Sequence, residues 1–227
     1  MKMRLIALAG ALLFLLFSSG ALAAPVTENL HSTGFDASGN ALAGGGTDAS
    51  WTVQCPTYYG NSNWYAAVVI APGDAGWFSG YAANTASSTP PFSGSSWVST
   101  TANSSVQGYA MTYQMTFSLA AFSLSTVTIS GNWVVADGGS LYINGNLLGS
   151  MSSAWGSRTA FTLTNTSFLN QGLNTVTLAV TQSDNAYDAA NFQGAVTGVL
   201  LPEPSAVLLL ATLPVALLIR RRSGVIA

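Results

Sequence analysis

From Tyr109 to Phe117 every odd-numbered residue is large and apolar (Tyr109, Met111, Tyr113, Met115, Phe117), while the even positions carry Ala110, Thr112, Gln114 and Thr116. A period of two puts the odd side chains on one face of a β-strand and the even ones on the other, the pattern of a half-buried strand. Thr175–Val180 repeats it, with Val176, Leu178 and Val180 alternating against Thr175, Thr177 and Ala179. Helical periodicity is nearly absent. Short runs rich in Val, Thr, Ile, Tyr and Trp, bounded by Gly, Asn, Ser and Asp, predict strands near Ser50–Gln54, Trp64–Ile70, Trp97–Thr100, Tyr109–Leu119, Thr126–Val135, Ser140–Ile143, Thr159–Leu163, Thr175–Gln182 and Ala195–Leu200. Ile143-Asn144-Gly145-Asn146 predicts a hairpin, because Asn-Gly readily takes the left-handed angles of a type I′ turn. Many short strands with frequent turns predict an all-β chain, an antiparallel β-sandwich of jelly-roll type. Residues 24–201 suffice for one such domain, which at this size buries roughly 70% of its unfolded surface without a disulfide.

The two ends follow other rules. Of six basic residues, Lys2, Arg4, Arg220, Arg221 and Arg222 lie at the termini and only Arg158 lies between. Lys2 and Arg4 precede an apolar run, Leu5 to Phe17, and then Ala21-Leu22-Ala23. A positive start, an apolar middle and a small-x-small end predict a signal peptide over residues 1–23, cut after Ala23; a retained anchor is the alternative. At the other end, Pro202-Glu203-Pro204 precedes a mostly apolar segment, 205–219, and then Arg220-Arg221-Arg222. As a transmembrane helix its apolar stretch, Ala206 to Ile219, rises about 21 Å, against a hydrocarbon core of about 30 Å. Pro214 weakens it further, while arginine snorkelling and local thinning extend its reach. Positive charge stays on the cytoplasmic side, so the arginines act as a membrane stop and leave 24–201 outside.

That three-part tail, residues 202–227, resembles the PEP-CTERM sorting signal of exported bacterial proteins. The resemblance implies recognition by an exosortase, an integral-membrane enzyme, with processing near Pro202, Glu203 and Pro204. It also implies a Gram-negative-type bacterium that makes extracellular polysaccharide. Leu201 stands where that family commonly has Val, and Ala206 where it commonly has Thr. The bland alternative is a permanently anchored protein whose triplet is accidental. Two prolines disfavour helix, so the motif is expected to be extended and accessible.

A second resemblance rests on Thr33-Gly34-Phe35-Asp36, Asp48-Ala49-Ser50-Trp51, Ser96-Trp97, Gly131-Asn132-Trp133, Leu141-Tyr142-Ile143-Asn144-Gly145 and Gly172-Leu173-Asn174-Thr175-Val176. Their order is similar to an ectodomain often paired with PEP-CTERM tails, and the last two are similar to galactose-binding-like jelly rolls. Jelly rolls host many functions, so sugar binding is only one implication.

Chemistry is sparse. Residues 24–201 carry seven acids (Glu28, Asp36, Asp48, Asp74, Asp137, Asp184, Asp188), Arg158 and no lysine, a balance of 1 − 7 = −6. Such a surface excludes nucleic acid as a partner, because phosphate pairing needs many cations. Ser and Thr make up 45 of these 178 residues, so solubility rests on hydroxyls, amides and glycine, with or without attached sugars. A single Cys excludes an intrachain disulfide and a Cys-rich zinc site. His31 reads as an exposed or edge residue, and Cys55 as a buried small hydrophobe or, alternatively, a link between two molecules. Asp184 and Asp188 read as loop solvators or, more weakly, as ligands of a structural Ca²⁺. Asp36, Ser38 and Asn40 read as a turn rather than a calcium loop, since no later Glu completes one. No catalytic residue and no required cofactor emerge.

Trp51, Trp64, Trp97 and Trp133 lie on predicted strands and are expected in the core. Trp77, Phe78, Tyr81, Trp155 and Tyr187 fall in loops. Aromatic faces hold the apolar faces of pyranose rings with help from amides and carboxylates. The possible ligand contacts are therefore Trp155 with Arg158, and Tyr187 with Asp184 and Asp188. The leading expectation is an exported protein without catalytic activity, sorted by an exosortase to the cell surface or extracellular matrix and linked to exopolysaccharide. A carbohydrate-binding module of the cell surface is the alternative, and a glycosidase a third.

Overall fold

The computed structural model describes residues 23–71, 94–103, 109–136, 138–152, 158–181 and 188–202. Residues 27–198 form one compact unit. The expected signal peptide up to Leu22, the apolar segment 205–219, Glu203, Pro204 and Arg220–Arg222 lie outside the described residues. Among the described residues, no helix is long and apolar enough to cross a membrane.

Eleven strands follow in chain order: β1 (Val26–Asn29), β2 (Thr47–Gln54), β3 (Tyr65–Val69), β4 (Val98–Ser99), β5 (Met111–Ser118), β6 (Thr128–Val135), β7 (Gly139–Ile143), β8 (Asn146–Met151), β9 (Thr159–Leu163), β10 (Leu173–Val180) and β11 (Ala190–Gly198). A one-turn helix, α1 (Pro56–Tyr59), sits between β2 and β3. The strands form one hydrogen-bonded ladder in the order β8-β7-β10-β5-β2-β3-β4-β11-β6-β9, with β1 beside β11. Its terminal strands, β8 and β9, approach one another. The antiparallel sandwich expected from the alternation is thus observed, bent until it nearly closes.

Each predicted strand has a counterpart. Met111, Tyr113, Met115 and Phe117 point inward from β5, as do Val176, Leu178 and Val180 from β10. The two strands pair along their length, Leu178 opposite Tyr113 and Val176 opposite Met115. Trp51 on β2 packs against Phe192 on β11, ring centroids 5.3 Å apart, so the two halves of the ladder meet through the interior. Asn144 and Gly145 take φ of 50° and 79° and turn β7 into β8, as Asn-Gly predicts. Trp51, Trp97 and Trp133 are buried as expected, but Trp64 is 40% exposed. Trp64 lies just before β3, whose first two residues, Tyr65 and Ala66, are also exposed.

The short motifs hold the fold together. The Asp48 carboxylate, buried at a bulge in β2, accepts from Gly34 N at 2.7 Å, Ser50 N at 3.0 Å and Trp51 N at 3.2 Å. Thr33 exchanges backbone bonds with Phe192 and Ser96, and its hydroxyl donates to the Ser96 carbonyl at 2.7 Å. The Trp51 indole N–H donates to the His31 carbonyl at 2.8 Å. Three segments distant in sequence thus tie the loop over 31–36 to β2 and β11. Gly131 stands opposite Gly194, and a side chain there would run into the Gln193 carbonyl oxygen. At the hairpin, Asn144 Nδ2 donates to Asn174 Oδ1 at 2.7 Å and to the Phe168 carbonyl at 2.8 Å, while Asn144 Oδ1 accepts from Thr175 N. The buried Asn174 also binds Asn170 and Gly172. These asparagines satisfy loop backbone that would otherwise be orphaned.

Candidate functional site

Trp155, Tyr187 and Asp184, and the loop aromatics Trp77, Phe78 and Tyr81, lie outside the described residues. Arg158 is half-buried and its Nη1 donates to Gln193 Oε1 at 2.8 Å; burial pulls its pKa below the usual arginine value. Asp188 departs from the expected loop solvator: it is fully buried, and its carbonyl accepts from the Ser99 hydroxyl at 2.8 Å. Just before β11, it is carried inward with Ala189 and Ala190. Among the described residues, no three His, Cys, Asp or Glu side chains come together to hold a metal ion. Cys55 is buried as a free thiol, and burial raises its pKa, opposite to the shift that activates a cysteine nucleophile. His31 is half-buried at a cleft rim.

That cleft, about 390 Å³, opens between residues 29–39 and Gly94, Gln193 and Gly194. Its polar lining is largely committed to the fold. Asp36 accepts from Ser38 N at 2.9 Å, Asn40 N at 2.8 Å and Asn40 Nδ2 at 3.2 Å, and the bonds from Asn40 lead in lowering its pKa. The turn read from Asp36, Ser38 and Asn40 is what the structure contains. Gln193 is held by Arg158.

A second surface is committed to much less. Tyr58 and Tyr59 project from α1, Tyr65 from the start of β3, and Tyr109 from just before β5. Tyr58 and Tyr65 are 45% and 36% exposed. Tyr59 stacks at a 32° tilt on Tyr65, centroids 4.1 Å apart; it meets Tyr58 edge-on at 4.9 Å, and Tyr58 lies 6.4 Å from Tyr109.

The support beneath these rings is local. Pro56 opens α1 with its angle already set and Gly60 ends it at φ 66°. The Asn61 amide donates to the Tyr59 carbonyl at 3.0 Å and to the Tyr65 hydroxyl at 3.1 Å, while its oxygen accepts from Asn63 N at 2.9 Å. Gln54 Nε2 donates to the Ser62 carbonyl at 2.6 Å. Burial among its neighbours pushes the Tyr59 phenol above its usual pKa, so it stays neutral. The result is a fixed array of amphipathic rings fringed by amides, able to stack on an apolar ligand face while hydrogen-bonding its rim. None of these four tyrosines stands out as a site residue in the sequence. The available signal was the cluster of Tyr58, Tyr59 and Tyr65 around Gly60 and Asn61, where turn residues carry the aromatics outward.

Residues 73–186 match the family model described as the beta-galactosidase second all-beta domain, half of the chain. The chain belongs to that family. Within the beta-galactosidase second all-beta domain match fall β4 to β10, Tyr109, Arg158 and the Asn144–Asn174 corner. The other three platform rings, Tyr58, Tyr59 and Tyr65, and most of the cleft come from residues before the match. No curated protein matches the sequence. Among solved structures, the CBM36-1 domain of a multidomain xylanase from the hindgut metagenome of Trinervitermes trinervoides is 22% identical, covering 40% of this chain and 77% of its own (TM-score 0.26). A carbohydrate-binding module CBM36 in complex with calcium and xylotriose is 23% identical, covering 41% and 76% (TM-score 0.25). The beta-D-glucuronidase of Dictyoglomus thermophilum is 13% identical, covering 78% of this chain and 28% of its own (TM-score 0.36). Likenesses of this extent carry no argument, so the assignment rests on residues 73–186.

Proposed function

We propose that the domain is a carbohydrate-binding module that acts by binding rather than catalysis, with Tyr58, Tyr59, Tyr65 and Tyr109 as its sugar platform. The observation that carries this is the exposed, mutually braced ring array beside Asn61 and Asn63. A pyranose ring offers an apolar C–H face and a hydroxyl rim, and such an array meets both. Rings already held in place lose little freedom when a ligand lands on them. The family supports the same reading, since it takes its name from a glycosidase.

Titration against a panel of polysaccharides tests it. Tyr58→Ala combined with Tyr65→Ala is expected to weaken binding about 10- to 100-fold, each lost stack being worth about 0.5–1.5 kcal/mol. Because both residues are exposed, the melting temperature is expected to stay within about 2 °C of wild type. Unchanged affinity in the double variant refutes the platform.

Delivery is proposed to follow the chain ends: export by the signal peptide, then exosortase sorting at Pro202, Glu203 and Pro204 to the cell surface or matrix. The order of the Pro-Glu-Pro triplet, apolar segment and Arg cluster supports this. Mass spectrometry of the protein from its host, with and without exosortase, is expected to show a shortened C-terminus only when the enzyme is present. A chain ending at Ala227 in both strains rules the sorting out.

A further inference from the structure

We infer that the platform takes a neutral polysaccharide, and that its binding is insensitive to salt. This rests on the carbohydrate reading and adds the ligand's charge class.

Residues 24–201 hold seven acids, no lysine and one arginine. That arginine, Arg158, is half-buried with its guanidinium on Gln193, next to β9; three strands, β4, β11 and β6, separate β9 from β3 in the ladder. The side chains that build the platform and its fringe are Tyr, Asn and Gln, uncharged at neutral pH.

A uronate or sulfate on a bound chain would lose water there without gaining a cation, and an unpaired charge pays heavily for that. The net negative balance of the domain adds repulsion at longer range. A neutral chain meets neither penalty. Its C–H faces stack on the rings, and its hydroxyls find the tyrosine hydroxyls and the exposed Asn63 amide. Because no ion pair contributes, counterions have nothing to screen.

The test uses the full chain in detergent and a glucan, a galactan and a mannan. Each is offered unmodified, after oxidation of its primary hydroxyls to carboxylates, and after methyl esterification of those carboxylates. Binding is expected to at least one unmodified polysaccharide, with affinity constant within about twofold between about 20 mM and 500 mM salt, where the Debye length shrinks severalfold. Oxidation is expected to weaken that binding at least about 10-fold at low salt, and esterification, which removes the charge and keeps the carbonyl, to restore most of it. Tighter binding to the oxidised form, falling as salt rises, overturns the inference and leaves the carbohydrate reading standing. Failure of every form to bind overturns the carbohydrate reading and the inference with it.

Discussion

Trp51→Ala is expected to destabilise the domain by about 3–5 kcal/mol, the range for emptying the site of a buried Trp. For a domain of this size that corresponds to a fall in Tm of about 10–15 °C. The indole is fully buried, rests on Phe192 at 5.3 Å and donates to the His31 carbonyl at 2.8 Å. Its removal leaves a cavity between the halves of the ladder and releases the loop that walls the cleft. Trp51→Phe keeps most of the volume and loses the N–H, so it is expected to cost about 1–2 kcal/mol. Urea denaturation of both variants measures the difference. A Trp51→Ala variant within about 1 kcal/mol of wild type contradicts the core described above.

Asp48→Ala carries the second large effect. Three backbone N–H groups, from Gly34, Ser50 and Trp51, lose their acceptor in a buried place. At about 1–3 kcal/mol for each stranded group, partly recovered by water, a loss of about 3 kcal/mol or more is expected.

The same carboxylate also gives a signed dependence on pH. Burial raises the Asp48 pKa above 3.8, against the pull of the Gly34, Ser50 and Trp51 amides and of His31. The folded chain therefore binds the proton more tightly than the unfolded chain. The stability this provides is full below pH 3.8 and is lost as pH rises through the folded value. Asp36 runs the other way: with its pKa lowered, chiefly by Asn40, its contribution is lost as pH falls below 3.8. The two windows lie on opposite sides of the unfolded value and separate in a pH series of denaturation curves. Asp48→Asn is expected to abolish the decline above pH 3.8, at the cost of the Gly34 bond, since the amide NH2 that replaces Oδ2 cannot accept from Gly34 N. If the decline persists in Asp48→Asn, another group is responsible.

The strands β5 and β10 were legible because each buries one face, and a period of two is the direct image of that geometry. β1 and β8 were not: their burial alternates weakly, and Asn146, Gly149 and Ser150 in β8 resemble turn residues. β11 begins five residues before its expected start, since Asn191, Gln193 and Gly194 read as loop. Asn191 is buried because Ser95 donates to it, and Gly194 because it faces Gly131. At the site, local pattern failed for another reason. A four-residue helix is too short to show a period, so Tyr58 and Tyr59 left no trace. Trp64, next in sequence to Tyr65, borrowed the expectation of a strand whose first residues stand in solvent. Asp188 needed knowledge of which loop turns inward, which only the packed layers supply.

The near-closure of the ladder has a consequence for crowding. Exposed strand edges recruit neighbouring molecules into shared sheets, and soluble β proteins usually deter this with lysines placed along the rim. This chain has none between residues 24 and 201. Bringing β8 up to β9 narrows the gap between the two terminal strands, so geometry takes a share of the work that charge does elsewhere. Domains crowded together then offer one another fewer open edges from which a shared sheet could grow.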